Sequence, residues 1–275
     1  MLKVGGHVSI AGGHSKAIER TIEIGGNCAQ IFLASPRGWN FTKVSDEEIE
    51  LFRSQSAKQN VSPVVFHASY LVNLADADRI GKLSVQLLTH ELKTASRMGV
   101  IGSVIHLGSY KDNGKDHKKL CANIASVLEK IPDDVQFIIE NAGNRKIGKD
   151  VEEIAEIVDE LKDDRVRVCL DTCHLHAAGY DLSTDQSFHD FLSVFEEKIG
   201  VKKIAVWHIN DSRDPFGSLR DRHENIGEGN VGTSVFRNIL TDPKTRHQPM
   251  ILEVPGFDGT GPDKRNVDLI KKLSI

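Results

Sequence analysis

Residues 167–174 read RVCLDTCH. Val168, Cys169 and Leu170 form an apolar run too short for a helix; it ends on Asp171, and His174 follows three residues later. A run of this length, apolar at almost every position, predicts a parallel strand buried on both faces. The pattern recurs at residues 4–10, 28–33, 63–67, 103–107, 136–140, 203–209 and 249–254, which with 167–171 makes eight runs. Amphipathic segments lie between them. Ser45-Asp-Glu-Glu48 predicts a capping box that opens a helix toward Asn60. Residues 78–98 and 150–161 carry apolar side chains at three- and four-residue spacing, and Gly99 predicts the end of the first. Eight strands alternating with helices at about 34 residues per unit predict an α/β fold, a single (β/α)8 TIM barrel over residues 1–275. The alternative is a doubly wound open sheet, but no GxGxxG follows the first run.

Composition bounds the function. The 275 residues are 39% hydrophobic and 27% charged, the balance of an ordinary globular chain with enough length for a large core. No stretch approaches the roughly 18 apolar residues of a membrane helix, and MLKVGGHVSIAGG lacks the apolar region of a secretory signal. The expected place is the cytoplasm, without a membrane partner. Cys28, Cys121, Cys169 and Cys173 form no CxxC pair, so reduced, inert thiols are expected. A formal charge of −4 gives no global sign of nucleic-acid binding.

The strand ends carry the chemistry. The runs finish VVF-His67, VI-His106, FII-Glu140, VCL-Asp171, AVW-His208 and MIL-Glu253. In a parallel barrel all strand C-termini open on one face, so these six groups converge there. A single polar residue after an apolar run is usually a solvated strand end. Six drawn from His, Asp and Glu would be costly to gather without a cation. The segment after the seventh run, WHINDSRDPFGSLRDRHENIGEG, adds Asp221 and His223, whose i, i+2 spacing in extended chain puts both on one side. His174 is a further candidate. Five imidazoles and four carboxylates exceed what one tetrahedral zinc needs and suit two or three bridged ions, Zn²⁺ first, with Mn²⁺ or Fe²⁺ possible. His7 is read as orienting a ligand or as a satisfied core histidine. Three divalent ions and one hydroxide would move the formal charge from −4 to about +1, focused at the mouth.

The blocks GGHVSIAGG, CAQIFLASPRGW, FHASYLVNLA, VIHLGS, IIENAG, VCLDTCHLHAAGYD, WHINDS…DRHENIGEG and ILEVPG, in this order, resemble the endonuclease IV family of apurinic/apyrimidinic endonucleases over essentially the whole chain. The resemblance implies three zinc ions at the C-terminal face of the barrel. It assigns His67, His106 and Glu140 to one ion. Glu140 then bridges to a second, held also by Asp171, His208 and Glu253, and His174, Asp221 and His223 hold the third. Leu107 and Val254 depart from the family's usual proline and threonine without replacing a ligand. The implied reaction is hydrolysis of the phosphodiester 5′ to an abasic site in duplex DNA by a hydroxide shared between ions, with Glu140 as the catalytic carboxylate. Duplexes with blocked 3′ ends are a further implied substrate. The implied DNA contacts are Arg37, inserted where the base is missing, and Tyr70 and Leu71 as wedges. Trp39 is read as loop core, and Asn210 and Ser212 as holding either the phosphate or the loop. A monomer that associates with the nucleoid when acting on DNA is the simplest expectation. The competing readings are a sugar isomerase or epimerase of the related barrel type, which needs no Asp221/His223 arm, and a non-catalytic metal-storing or DNA-binding module.

Overall fold

Each apolar run crosses the molecule once, and the pleat sorts its side chains between an inner and an outer layer. A computed structural model describes residues 2–110 and 116–275. The strands are β1 (Val4–His7), β2 (Cys28–Ile31), β3 (Val64–His67), β4 (Gly102–Ile105), β5 (Gln136–Glu140), β6 (Val166–Asp171), β7 (Ile204–His208), β8 (Asp211–Ser212), β9 (His223–Glu224) and β10 (Met250–Leu252). β8 and β9 form a small antiparallel ribbon, and the other eight close a parallel barrel in the order β1-β10-β7-β6-β5-β4-β3-β2. The helices are α1 (Ser15–Glu23), α2 (Asp46–Gln59), α3 (Arg79–Met98), α4 (His117–Leu128), α5 (Val151–Leu161), α6 (Thr172–Ala178), α7 (Asp185–Lys198), α8 (Thr233–Thr241) and α9 (Lys264–Leu273). The predicted (β/α)8 barrel is therefore present, and its strands are shorter than the apolar runs. Val8, Ile209 and Val254 continue past the sheet as buried residues over its rim.

Inside the barrel, Cys28, Val65, Val104, Ile138, Cys169, Val206 and Ile251 form a closed apolar plug. The alternate residues, such as Val64, Phe66, Phe137, Val168 and Trp207, join the large cluster under the helices. Gly5 occupies the plug position of β1, and a Cβ there would lie 1.7 Å from the Cys28 carbonyl oxygen, so only glycine lets β1 and β2 pair. Two residues beyond each plug position, the same inward direction is taken by His7, Gln30, His67, His106, Glu140, Asp171, His208 and Glu253. One pleat repeat thus converts a hydrophobic layer into a polar one at the mouth.

The helix signals hold with one change. Ser45 caps α2 by accepting from the Glu48 amide at 3.3 Å, and Gly99 ends α3 in the left-handed conformation. The predicted box at Ser45 is only half formed, because the Glu48 carboxylate turns away to accept from the Ser15 amide at 2.7 Å. It thereby joins α2 to the start of α1. No helix among the described residues is long and apolar enough to cross a membrane.

Glu91 on α3 is buried and accepts from the Ser103 hydroxyl of β4. Burial pushes its carboxyl up to about 7, against the opposing pull of Ser103 and His67. The folded state therefore holds this proton more tightly than the unfolded chain. Its contribution to stability falls as pH rises from the unfolded value of 4.5 and levels off above about 7. Glu91→Gln should remove that slope, gaining up to about 3 kcal/mol relative to wild type between pH 4.5 and 8. Urea unfolding at both ends of the range checks this, and parallel pH curves for the two proteins would refute it.

Candidate metal centre

The polar layer above the plug is assembled around Glu140, which is fully buried. Its Oε2 lies 3.3 Å from His67 Nε2 and 3.2 Å from His106 Nε2. Its Oε1 lies 3.1 Å from His208 Nδ1 and 3.4 Å from His174 Nδ1. The two oxygens of one carboxylate thus face two different sets of imidazoles. Asp171 and His208 are register partners across β6 and β7, and His208 Nδ1 lies 3.7 Å from Asp171 Oδ2 and 3.3 Å from Glu253 Oε2. Asp221 enters from the segment between β8 and β9. Its Oδ1 is 3.0 Å from His174 Nε2 and 3.4 Å from His223 Nε2. All nine predicted ligand positions are therefore brought to one place.

Donor atoms of His67, His106 and Glu140 gather within 4.8 Å of one another, as do those of Glu140, Asp171, His208 and Glu253. Around the third position Asp171 and Cys173 come close as well. Asp171, His174 and His223 gather as one group, and Asp221 and His223 gather with Cys173. His223 Nε2 is 3.5 Å from Asp171 Oδ2, so Asp171 stands between the second and third groups.

Four of the imidazoles have one nitrogen tied to an amide oxygen, which leaves the other facing the centre. His67 Nδ1 meets the Ala68 carbonyl at 2.8 Å, and His174 Nδ1 meets that of Asn141 at 2.9 Å. His208 Nε2 meets Gln30 Oε1 at 2.8 Å, and His223 Nδ1 meets the Glu253 carbonyl at 3.3 Å. Each contact fixes a tautomer whose free lone pair points inward, the usual device for orienting a ligating histidine. Nε2 of His174 and of His223 are buried without a hydrogen-bond partner among the described residues, although carboxylate oxygens lie close by. Buried nitrogens left in this state fit a cation as their common partner.

The electrostatics agree. Burial alone would lower His208 and His174, but neighbouring carboxylates hold both well above the usual histidine range: Glu253 and Glu140 for His208, and Asp171, Asp221 and Glu140 for His174. Burial opposes ionisation of Glu140, yet His106, His208 and His67 hold its carboxyl well below the usual range. Glu253 is lowered likewise against burial, by His208, His7 and His67. His106 is pushed down to about 4 by burial, so its imidazole is neutral at pH 7 and free to ligate.

Second contacts fix the first. Asp171 Oδ1 accepts from the His174 amide at 2.9 Å and so caps α6, while Oδ2 faces the centre and accepts from Asn210 Nδ2 at 2.7 Å. The Asn210 side-chain oxygen accepts from the Glu253 amide at 2.7 Å. Gly143 lets the chain pass there, since a Cβ would sit 2.9 Å from His174 Cα. His7 Nδ1 lies 3.1 Å from Glu253 Oε1 and 3.0 Å from Gln30 Nε2, so it packs against the carboxylate of a predicted ligand. Asn210 and Ser212 are fully buried and hold the loop, not an exposed phosphate position.

Sequence reading missed three groups. Gln30 links His208, Glu253 and His7, and its only signal was a lone amide in the CAQI strand. Asn141 receives the Asp171 amide at 2.6 Å. Asp211 is buried and accepts from the amides of Ser212, Gly227 and Val231 at 2.8–2.9 Å, which fixes the chain that carries Asp221 and His223.

A cavity of about 450 Å³ opens above the cluster, lined among others by Phe32, Tyr70, Asp221 and Pro262. His67, His106, His174, His223 and Glu253 also line it, whereas Glu140, Asp171 and His208 do not and lie fully buried behind them. Tyr70 is 60% exposed and packs edge-on against Phe32 and His67. Its amide and the Ser69 hydroxyl both bond the Pro36 carbonyl, at 3.1 and 2.7 Å. The loop bearing exposed Arg37 is thereby held beside Tyr70 and Leu71, although neither Arg37 nor Leu71 lines the cavity. Trp39 is partly buried against the core, as expected. All four cysteines are buried and free, and burial pushes the Cys28 and Cys169 thiols up to about 12.

Residues 18–273 match the family model described as xylose isomerase-like TIM barrel. A probable endonuclease 4 from Halothermothrix orenii is 37% identical over 277 residues, covering 98% of this chain and 100% of that one. The crystal structure of endonuclease IV from Thermus thermophilus superposes with a TM-score of 0.88 at 32% identity and 98% coverage of both chains. A D-tagatose 3-epimerase-like protein shares the fold at 19% identity, with a TM-score of 0.70 and coverage of 99% of this chain and 95% of that one.

Proposed function

Because the chain belongs to the endonuclease IV family of xylose isomerase-like TIM barrels, we propose that it is a DNA-repair endonuclease that hydrolyses the phosphodiester 5′ to an abasic site in duplex DNA. The products would be a 3′-hydroxyl and a 5′-deoxyribose phosphate, and duplexes with blocked 3′ ends are a second substrate class. The observation that carries this reading is the convergence of five imidazoles and four carboxylates at one barrel mouth, six of them lining a single cavity. The catalytic unit is the whole of 1–275, acting as a monomer in the cytoplasm and at the nucleoid.

In this reading His67, His106 and Glu140 hold one divalent cation, Glu140, Asp171, His208 and Glu253 a second, and His174, Asp221 and His223 a third. The mixture of nitrogen and oxygen donors suits Zn²⁺, with Mn²⁺ as a substitute. Bound there, such ions acidify water at neutral pH and neutralise charge developing on a phosphoryl oxygen. Glu140 joins the first two groups through its separate oxygens and fixes their spacing. Asp171 does the same toward the third group while capping α6. The amide-oxygen contacts of His67, His174, His208 and His223 aim their other ring nitrogens at the centre and raise the basicity with which these would ligate. No side chain is required as a nucleophile.

The rim selects the lesion. An abasic nucleotide has lost its stacking, so turning it into the cavity costs less than for an intact one. Tyr70 and Leu71 fill the stack, and Arg37 on the adjoining loop occupies the gap left by the base.

The test is incision of a duplex carrying one abasic site, run beside an intact duplex and beside epimerisation of keto-sugars. Specific cleavage 5′ to the site is expected, with Tyr70→Ala/Leu71→Ala weakening capture of the abasic duplex about 10-fold or more, the loss of one or two stacking contacts. Sugar turnover without incision would reject the assignment.

A further inference from the structure

A second cluster of ligand-type side chains lies outside the barrel, on two neighbouring helices. α4 carries His117 and Cys121 one turn apart, so both project from one face. Glu160 of α5 meets that face. His117 Nε2 is 3.0 Å from Glu160 Oε2 and 3.5 Å from Cys121 Sγ. The three donor atoms lie within 4.8 Å of one another, and none belongs to the mouth.

The His117–Glu160 ion pair and the contact of the Cys121 thiol with Glu160 link the three in pairs, yet three ligand-type side chains of different chemistry still converge on one point. One imidazole nitrogen offers one proton or one lone pair, and here it faces both an oxygen and a sulfur. The separations are also compatible with a coordination shell. Metal–nitrogen and metal–oxygen lengths of about 2.0 Å and a metal–sulfur length of about 2.3 Å, at tetrahedral angles, set an N–S edge of about 3.5 Å and an N–O edge of about 3.3 Å. The observed 3.5 Å equals the first and the observed 3.0 Å comes close to the second. Thiolate with imidazole and carboxylate selects a borderline-soft ion over Mg²⁺ or Ca²⁺. Three protein ligands leave a fourth position for water.

We propose that His117, Cys121 and Glu160 form a separate Zn²⁺ site that clamps α4 to α5. On binding, the Cys121 thiol releases its proton to solvent and the sulfur forms the metal bond, while the neutral imidazole and the carboxylate each donate a lone pair. Burial and the nearby Glu160 push this thiol up to about 12, so the ion competes with a firmly held proton and occupancy rises with pH.

The test uses the full chain loaded with Co²⁺, read by thiolate-to-cobalt charge transfer in the near ultraviolet, together with zinc counting by native mass spectrometry. The nine mouth ligands contain no sulfur, but Cys173 lies near Asp221 and His223 and needs its own control. The band should be present in wild type and in Cys173→Ala, and lost in both Cys121→Ala and His117→Asn. Each of the latter should carry one zinc fewer than wild type. His117 is only partly buried, so His117→Asn keeps the test valid if the cysteine change perturbs folding. Absence of the band in wild type, or its survival in either helix variant, would overturn the site. Loss of the band in Cys173→Ala alone would also overturn it, by placing the thiolate at the mouth.

Discussion

Glu140→Gln is expected to cut incision of an abasic duplex on the order of 10³-fold or more, equivalent to about 4 kcal/mol of lost transition-state stabilisation. DNA affinity should stay within a few-fold of wild type. The substitution is isosteric and the residue is fully buried, so packing is preserved. Its chemistry is not. The Glu140 oxygens sit 3.1–3.3 Å from His67, His106 and His208, serving groups on both sides. An amide replaces one of those acceptors by a donor, which faces the same centre with the wrong polarity. The variant also removes a negative charge from the site, so electrostatic attraction of a phosphodiester is not weakened. Single-turnover incision and a binding titration at one salt concentration separate the two effects. Equal losses in both would assign Glu140 a structural role only.

Exhaustive chelation should lower incision more than about 10⁴-fold, toward the uncatalysed background, with recovery on adding Zn²⁺. The stripped site retains its carboxylates, so its imidazoles become the available positive charges. The carboxylates that hold His208 and His174 above the usual histidine range already show that tendency. Metal rebinding must then expel protons, and reconstitution should weaken as pH falls. Inductively coupled plasma analysis of the stripped protein confirms removal. Full incision by a metal-free preparation would end the proposed mechanism.

The barrel was legible because parallel strands buried on both faces leave few polar positions, and those that remain cluster at the strand ends. His67, Glu140, Asp171 and His208 could be read from that pattern alone, since the pleat fixes their direction. Asp221 and His223 were legible as a pair, whereas the approach of Asp171 and Cys173 to them was not. The ribbon that places them has two residues per strand, too few for any periodicity. Gln30, Asn141 and Asp211 escaped notice for another reason. Gln30 acts on His208 across 178 residues and on Glu253 across 223, a relation that exists only once the barrel has closed. The Ser45 cap was visible, whereas the turn of Glu48 toward Ser15 depends on how α1 and α2 pack.

The two-residue step from plug to mouth decides where this scaffold tolerates editing. Deleting one residue from a strand ahead of its plug position would rotate the rest of that strand by half a pleat. In β3, Val64 and Phe66 would then fill the lumen and His67 would face the helices. Apolar content would barely change, so a folded but disarmed protein is the expected product. Insertions beyond the rim carry no such penalty, because the pleat has already delivered its side chain. Variation in lesion choice among proteins of this build should therefore be sought in the lengths of the segments that follow β2 and β3, with the strands held invariant in register.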